Sequence, residues 1–377
     1  MTIYLDHAAT TTIRPVALDA LDDAYARFDR NASGLHAEAR EAKNALEDAR
    51  ERAASLLGTE RPHDIIFTGS GTEADNLAVI GASLASDRKV IAVSAIEHKA
   101  VLNAARSLTR FGYTVDTIPV SSSGVVPVSH AISAEGSQPA VISVMAANNE
   151  IGTIQPVREL AEAARASYPG VVVHTDAVQA FNSHDVTLEA TGADLVSLAS
   201  HKFGGPKGVG LLAVGPGVLI EPVIHGGSQE AGRRAGTYNV AGIVAMVAAM
   251  EAAASDRAGF CERTRAERDA LESAIVAGFP GATVTARRAD RLPHISHIRF
   301  PGVLAENLLI RLDMAGIAAA AGSACQSGVV EPSHVLSAIG FTDEAAGECI
   351  RFSFGWDTSQ GEGWRAARAV LDVLSDL

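Results

Sequence analysis

Cysteine, lysine and long apolar runs are all in short supply in this chain of 377 residues. Three cysteines, Cys261, Cys325 and Cys349, are too few and too scattered for a disulfide framework, and none belongs to a Cys-x-x-Cys pair. The histidines form no His-Glu-x-x-His pattern, so no protein-encoded metal site is expected. No apolar run reaches membrane-spanning length; the longest, Val240 to Met250, is soon followed by charges. With 31 Lys and Arg against 44 Asp and Glu, the net charge of −13 argues against direct nucleic-acid binding and against a membrane surface. Asp6 stands where a secretory signal would carry bases and then an apolar core, which points to a cytoplasmic protein. The length allows one large domain with a smaller companion, or two of similar size.

Taken in order, Tyr4 to Thr12 reads as an extended arm and Val16 to Phe28 as a helix, with Ser33 placed to cap the next one. In that next helix Ala39, Ala42, Leu46, Ala49, Ala53 and Leu56 alternate by threes and fours until Gly58 ends it. Strand–helix units follow, with strands at 64–68, 89–94, 113–118, 140–145, 171–175, 194–198 and 209–214. Val- and Ile-rich strands separated by helices indicate an α/β fold: a mostly parallel sheet covered on both faces, with ligands beyond the carboxyl ends of its strands. A helix from Ala241 to Ser255 leads away from this sheet. Shorter strands near 281–285, 295–300, 317–321 and 349–354 then alternate with helices, indicating a smaller α+β domain. The expected division is an arm, 1–15, packed with the small domain; a large domain, 16–255; and a small domain, 256–377.

The strand ends carry the chemistry. There are only five lysines, and two of them, Lys202 and Lys207, lie in one glycine-rich loop after the strand at 194–198. Lys202 at the strand end is placed to meet a ligand, whereas Pro206 and Gly208 hold Lys207 in the turn. Gly69-Ser-Gly71-Thr72-Glu joins a strand to a helix, which suits a phosphate and equally a plain capped turn. His98 suits stacking on a ring or moving protons, but also capping a helix. Asn148-Asn149 suits polar ligand contacts or an ordinary turn. Asp176 answers a positive ring nitrogen or serves as a structural cap. A lysine Schiff base with an acid facing a pyridine nitrogen is the pyridoxal-phosphate arrangement, and these four elements fall in its order.

With those residues assembled, the chain resembles the cysteine desulfurases of the iron–sulfur-cluster and nitrogen-fixation type, in the class-V aminotransferase family. The matching stretches are Tyr4-Leu-Asp-His-Ala-Ala-Thr-Thr, Gly71-Thr-Glu-Ala-Asp-Asn, Glu97-His-Lys-Ala-Val, Asn148-Asn-Glu-Ile-Gly, His201-Lys, Gly204-Gly-Pro-Lys-Gly, Arg234-Ala-Gly-Thr, Gly322-Ser-Ala-Cys and Arg351-Phe-Ser-Phe-Gly. Gly322-Ser-Ala-Cys325 is similar to the housekeeping branch rather than the branch with a His-His-Cys motif. The resemblance implies an aspartate-aminotransferase-like fold (fold type I) with a seven-stranded sheet, pyridoxal 5'-phosphate as cofactor, and a homodimer.

It also implies roles. Gly71, Thr72, His201 and the partner subunit's Thr237 bind the phosphate; His98 stacks on the ring and shuttles protons; Asp176 holds the ring nitrogen and Gln179 the ring hydroxyl. Lys202 carries the cofactor covalently, while Asn149 and Arg351 hold the substrate carboxylate. Cys325 attacks the sulfur of L-cysteine, leaving L-alanine and a persulfide for an iron–sulfur scaffold or a tRNA-thiolating enzyme. Small neighbours leave Cys325 open to partners, whereas Cys349 reads as a small buried residue of a strand. One departure stands out: Ala199 occupies the position of a phosphate-binding serine, leaving either Ser200 to replace it or the phosphate one ligand short. The alternatives are a selenocysteine lyase or other class-V transaminase or lyase, and a non-catalytic cofactor-binding scaffold.

Overall fold

Strands that are apolar on both faces are stable only with protein on either side, and the computed structural model puts the Val- and Ile-rich strands into one seven-stranded sheet, with the half-exposed Thr114–Ile118 at one edge. It describes residues 2–130, 138–321 and 333–376. In chain order the strands are β1 (Ile3–Tyr4), β2 (Ile65–Thr68), β3 (Val90–Ser94), β4 (Thr114–Ile118), β5 (Pro139–Ser143), β6 (Val172–Asp176), β7 (Leu195–Ala199), β8 (Gly210–Val214), β9 (Thr283–Val284), β10 (Ile295–Arg299), β11 (Ile317–Ala318) and β12 (Cys349–Ser353).

The large sheet runs β2-β8-β7-β6-β5-β3-β4. Side chains alternate between two apolar layers: Ile142, Val196, Leu198 and Leu211 face one, and Val141, Leu195 and Leu212 the other. Each such side chain, fully buried, contributes about 1.5–3 kcal/mol, so a one-residue slip that exchanged the faces would be strongly disfavoured. Helix Val157–Ser167 covers the first layer with Leu160 and Ala164, and helix Lys99–Ser107 the second with Val101 and Ala105.

The sheet is mostly parallel, with β8 antiparallel to both β2 and β7. Only Ser200–Val209 separates β7 from β8, too little chain for the dozen or so residues that a parallel crossover needs. The chain therefore turns straight back, and that turn holds His201 and Lys202.

Two local expectations need correction. His36, not Ser33, caps helix Ala37–Leu57: its Nδ1 accepts the Ala39 N–H at 3.3 Å, while the Ser33 N–H is taken by Asn31 Oδ1. Helix Val240–Ser255 does not lead away from the sheet. It has no broad polar face, and it packs against helices Pro15–Arg27 and Ala37–Leu57 with Ile243, Met246 and Met250 in the large core.

The departure comes one residue later, at Asp256, where helix Arg257–Gly278 sets out toward a second core. There an antiparallel sheet, β12-β10-β9, packs with Leu271, Leu308 and Val370 from three helices. In the arm β1 pairs with β11 in parallel and Leu5 is buried in this second core. The arm then crosses to the large sheet, where the Thr11 N–H donates to His201 O at 3.1 Å and the Arg14 N–H to Gly204 O at 2.7 Å.

Candidate active site

The β7–β8 turn brings Lys202 to the carboxyl end of the sheet, where the crossing arm meets it. Lys202 Nζ donates to the carbonyls of Ala8 (2.7 Å) and Ala9 (2.8 Å). Burial, and after it the Arg351 guanidinium, push its pKa down to about 8, against the pull of Asp176 and Asp6. An appreciable share of this amine is therefore deprotonated near neutrality, the form in which it is a nucleophile. Lys207 is exposed in the turn and takes no part in the cavity.

Lys202 borders a cavity of about 240 Å³. At its floor Asp176, the last residue of β6, is buried and accepts the Val178 N–H at 2.9 Å. Burial raises its pKa, while His98 and then Lys202 act to lower it. His98 lines the same cavity and also caps helix Lys99–Ser107, its Nδ1 accepting the Ala100 N–H at 3.2 Å. The capping and ring-facing readings are thus compatible: Nδ1 is occupied and Nε2 is left to carry the proton. The residue is exposed at the cavity, yet burial by the protein around it lowers its pKa, with Asp176 working in the opposite sense. Gln179 reaches the arm through Nε2 to Ala8 O at 2.9 Å.

Beside the cavity β2 turns into a helix. Ser70 caps it by accepting the Glu73 N–H at 3.1 Å, and Gly71 and Thr72 present the first helical N–H groups. A Cβ on Gly71 would stand 2.9 Å from the Ala199 methyl, so the close approach of this turn to β7 requires glycine. Glu73 holds the turn by accepting the Gly69 N–H and pairing with Nε and Nη2 of Arg234 (2.6 and 3.2 Å). His201 lines the cavity nearby, hydrogen-bonded through Nδ1 to Thr10 Oγ1 at 3.1 Å; burial, then Lys202, push its pKa down to about 4. Ser200 points elsewhere. Its hydroxyl is fully buried, without a hydrogen-bond partner among the described residues, and a Cβ on Gly205 would come within 2.1 Å of it. Ala199 lines the cavity in its place.

Asn149 also lines the cavity. Asn148 holds its turn by accepting the N–H groups of Glu150 and Ile151. Arg351 in β12 lies behind, donating to Asn149 O at 2.9 Å and to Asp6 Oδ1 at 2.7 Å; its Nε is buried without a partner among the described residues. Gly71, Thr72, His98, Asn149, Asp176, Gln179, His201 and Lys202 thus surround one space, and Arg351 adjoins it. Thr237 does not: it is exposed and absent from the lining of its own chain's cavity. Cys325 and the rest of Gly322–Gly328 lie outside the described residues. Cys349 is buried in β12, where burial pushes its thiol up to about 12.

Asp75 and Asp6 are the residues that sequence reasoning missed. Asp75 lines the cavity three positions after Thr72 on the same helix, a spacing that puts both on one face.

A family model for class-V aminotransferases matches residues 3–362. Cysteine desulfurase IscS of Dictyoglomus turgidum is 39% identical over 374 residues, covering 99% of this chain and 93% of the relative. Cysteine desulfurase NifS of Azotobacter vinelandii is 38% identical over 376 residues, covering 100% and 93%. A solved structure described as a NifS-like protein superposes with a TM-score of 0.92 at 32% identity and full coverage of both chains. By family match, full-length similarity and fold together, the chain belongs to the class-V aminotransferase family.

Proposed function

We propose that this protein is a pyridoxal 5'-phosphate-dependent cysteine desulfurase, which takes sulfur from L-cysteine and releases L-alanine. One observation carries the reading: an amine with a pKa of about 8, Lys202, shares a small cavity with a buried carboxyl, Asp176, and with a glycine-opened helix start. Full-length relatives named cysteine desulfurase support it.

The residues present fit the cofactor. The N–H groups at Gly71 and Thr72 suit its phosphate, and His201 lies beside them. Asp176 would face the ring nitrogen, Gln179 the ring hydroxyl and His98 the ring face. When bound, the cofactor supplies an electron sink for bonds broken at the substrate α-carbon. The chain's own residues do the rest. Lys202 would hold the cofactor through its deprotonated amine. Arg351 Nε, buried and without a partner among the described residues, would supply a donor to the substrate carboxylate beside Asn149. His98 Nε2 moves the proton. Cys325 receives the sulfur as a persulfide.

The wider reading is a homodimer in which the partner subunit's Thr237 completes each phosphate site, a role consistent with the exposure of Thr237 in its own chain. We place the protein in the cytoplasm, with an iron–sulfur scaffold or a tRNA-thiolating enzyme as sulfur acceptor. A separate apolar core around β10 and β12 supports the division into a large domain, 16–255, and a small domain, 256–377, with residues 1–15 as an arm; Leu292 and Ile295 of the small domain pack into the large core. Alanine release from L-cysteine tests the reading. Lys202→Ala is expected to lower it at least ~100-fold; release within a few-fold of the parent protein would contradict it.

A further inference from the structure

Beneath the cavity lie two carboxyls, and the proposed reaction uses only one. Asp75 is 1% exposed and Asp176 is 5% exposed. Their oxygens, with a nitrogen of His98, all lie within 4.8 Å of one another. Two carboxylates this close, away from water, do not both stay ionised. Their surroundings differ. Asp176 accepts the Val178 N–H and is flanked by His98 and Lys202. Asp75 Oδ1 is buried without a hydrogen-bond partner among the described residues, although Asp75 lines the cavity. Behind it stands His174, fully buried, with Nε2 3.6 Å from Asp75 Oδ1. Both nitrogens of that imidazole meet hydroxyls, Nδ1 that of Ser143 at 2.8 Å and Nε2 that of Ser197 at 2.9 Å. Among the described residues, no formal cation is thus bonded to Asp75.

We propose that Asp75, seated on His174, is a positioning residue that bears the proton of this carboxyl pair, leaving Asp176 as the single anion that faces the cofactor's ring nitrogen. This rests on the cofactor reading above. Burial and the nearness of Asp176 favour the neutral form of Asp75 against an opposing hydrogen bond with Ser197, and burial keeps His174 neutral. The other ionisable groups facing the pair are His98, Lys202 and Glu97, and Glu97 is itself pushed up to about 8 by burial. Asp75 acts through Asp176: a neutral acid beside a carboxylate lends it a donor without adding a second negative charge under the ring.

The test is a pH titration of the visible absorption of the holoenzyme, with cofactor affinity measured in parallel by titrating pyridoxal 5'-phosphate into the apoenzyme. Asp75→Asn retains shape and a donor but cannot ionise. It is expected to leave the absorption midpoint within about 0.3 pH unit, a twofold change in proton affinity, and to leave cofactor affinity within about twofold. Asp75→Ala removes the donor, weakens the hold of Asp176 on the ring nitrogen's charge and thereby makes a proton elsewhere on the cofactor easier to keep. Its midpoint is expected to rise by about one pH unit, a tenfold change. Asp75→Ser serves if the alanine variant does not fold, with the same expected direction. An asparagine variant that shifts as far as the alanine variant, or truncations that shift nothing, would overturn the proposal. If the parent protein fails to acquire visible absorption with pyridoxal 5'-phosphate, the cofactor reading itself has failed, an outcome distinct from these.

Discussion

Residue 199 shows how much one side chain decides at this site. Ala199 presents a methyl to the cavity where a hydroxyl would serve a phosphate, and the neighbouring Ser200 is turned inward against Gly205. Ala199→Ser is therefore expected to tighten pyridoxal 5'-phosphate binding about fivefold, the worth of one added hydrogen bond. Ser200→Ala is expected to leave cofactor affinity within about twofold, since its hydroxyl faces no ligand. Equilibrium titration of the apoproteins checks both; a loss of affinity in Ser200→Ala would mean that Ser200 does reach the phosphate. The substitution at 199 was legible in the sequence, but the direction of Ser200 was not. Nor was Asp75, because an acid in a helix reads as surface until the fold shows which face is covered. Lys202, Asp176 and His98 were legible because each follows an apolar strand at once, and in a sheet of this kind strand ends converge.

Among the elements, the least legible feature was strand direction. The apolar run at 209–214 reads equally as a parallel or an antiparallel strand; only the short link from β7 decides for the antiparallel one. Periodicity likewise reveals an apolar helix at 240–255 without saying what covers it. A buried ion pair fastens the neighbouring elements. Arg50, 2% exposed in helix Ala37–Leu57, donates to Glu230 Oε2 at 2.6 Å and Oε1 at 3.1 Å, and to Ile65 O in β2 at 2.6 Å. It pins a turn in which Glu230 and Ala231 both have positive φ, 49° and 54°, only a few residues before Thr237. Removing one partner strands the other charge, so Arg50→Ala is expected to cost about 3–5 kcal/mol in chemical denaturation. A loss below about 1 kcal/mol would mean that the pair is solvated and does not fasten the turn.

At the scale of the whole molecule, the site draws on the large sheet, on β12 of the second core and on the arm that crosses between them. If the partner subunit's Thr237 also contributes, two deficient proteins should repair each other. Lys202→Ala and Thr237→Ala chains, mixed into heterodimers at limiting cofactor, pair one doubly deficient site with one intact site. Activity is expected to return to about half that of the parent dimer; no recovery would contradict the shared site. Sulfur transfer to Cys325 is tested most directly by intact-protein mass spectrometry after incubation with L-cysteine. A sulfur adduct that maps to Cys325 is expected, with alanine formed alongside it and no adduct in Cys325→Ser. Alanine without an adduct on Cys325, or an adduct that persists in Cys325→Ser, would contradict it.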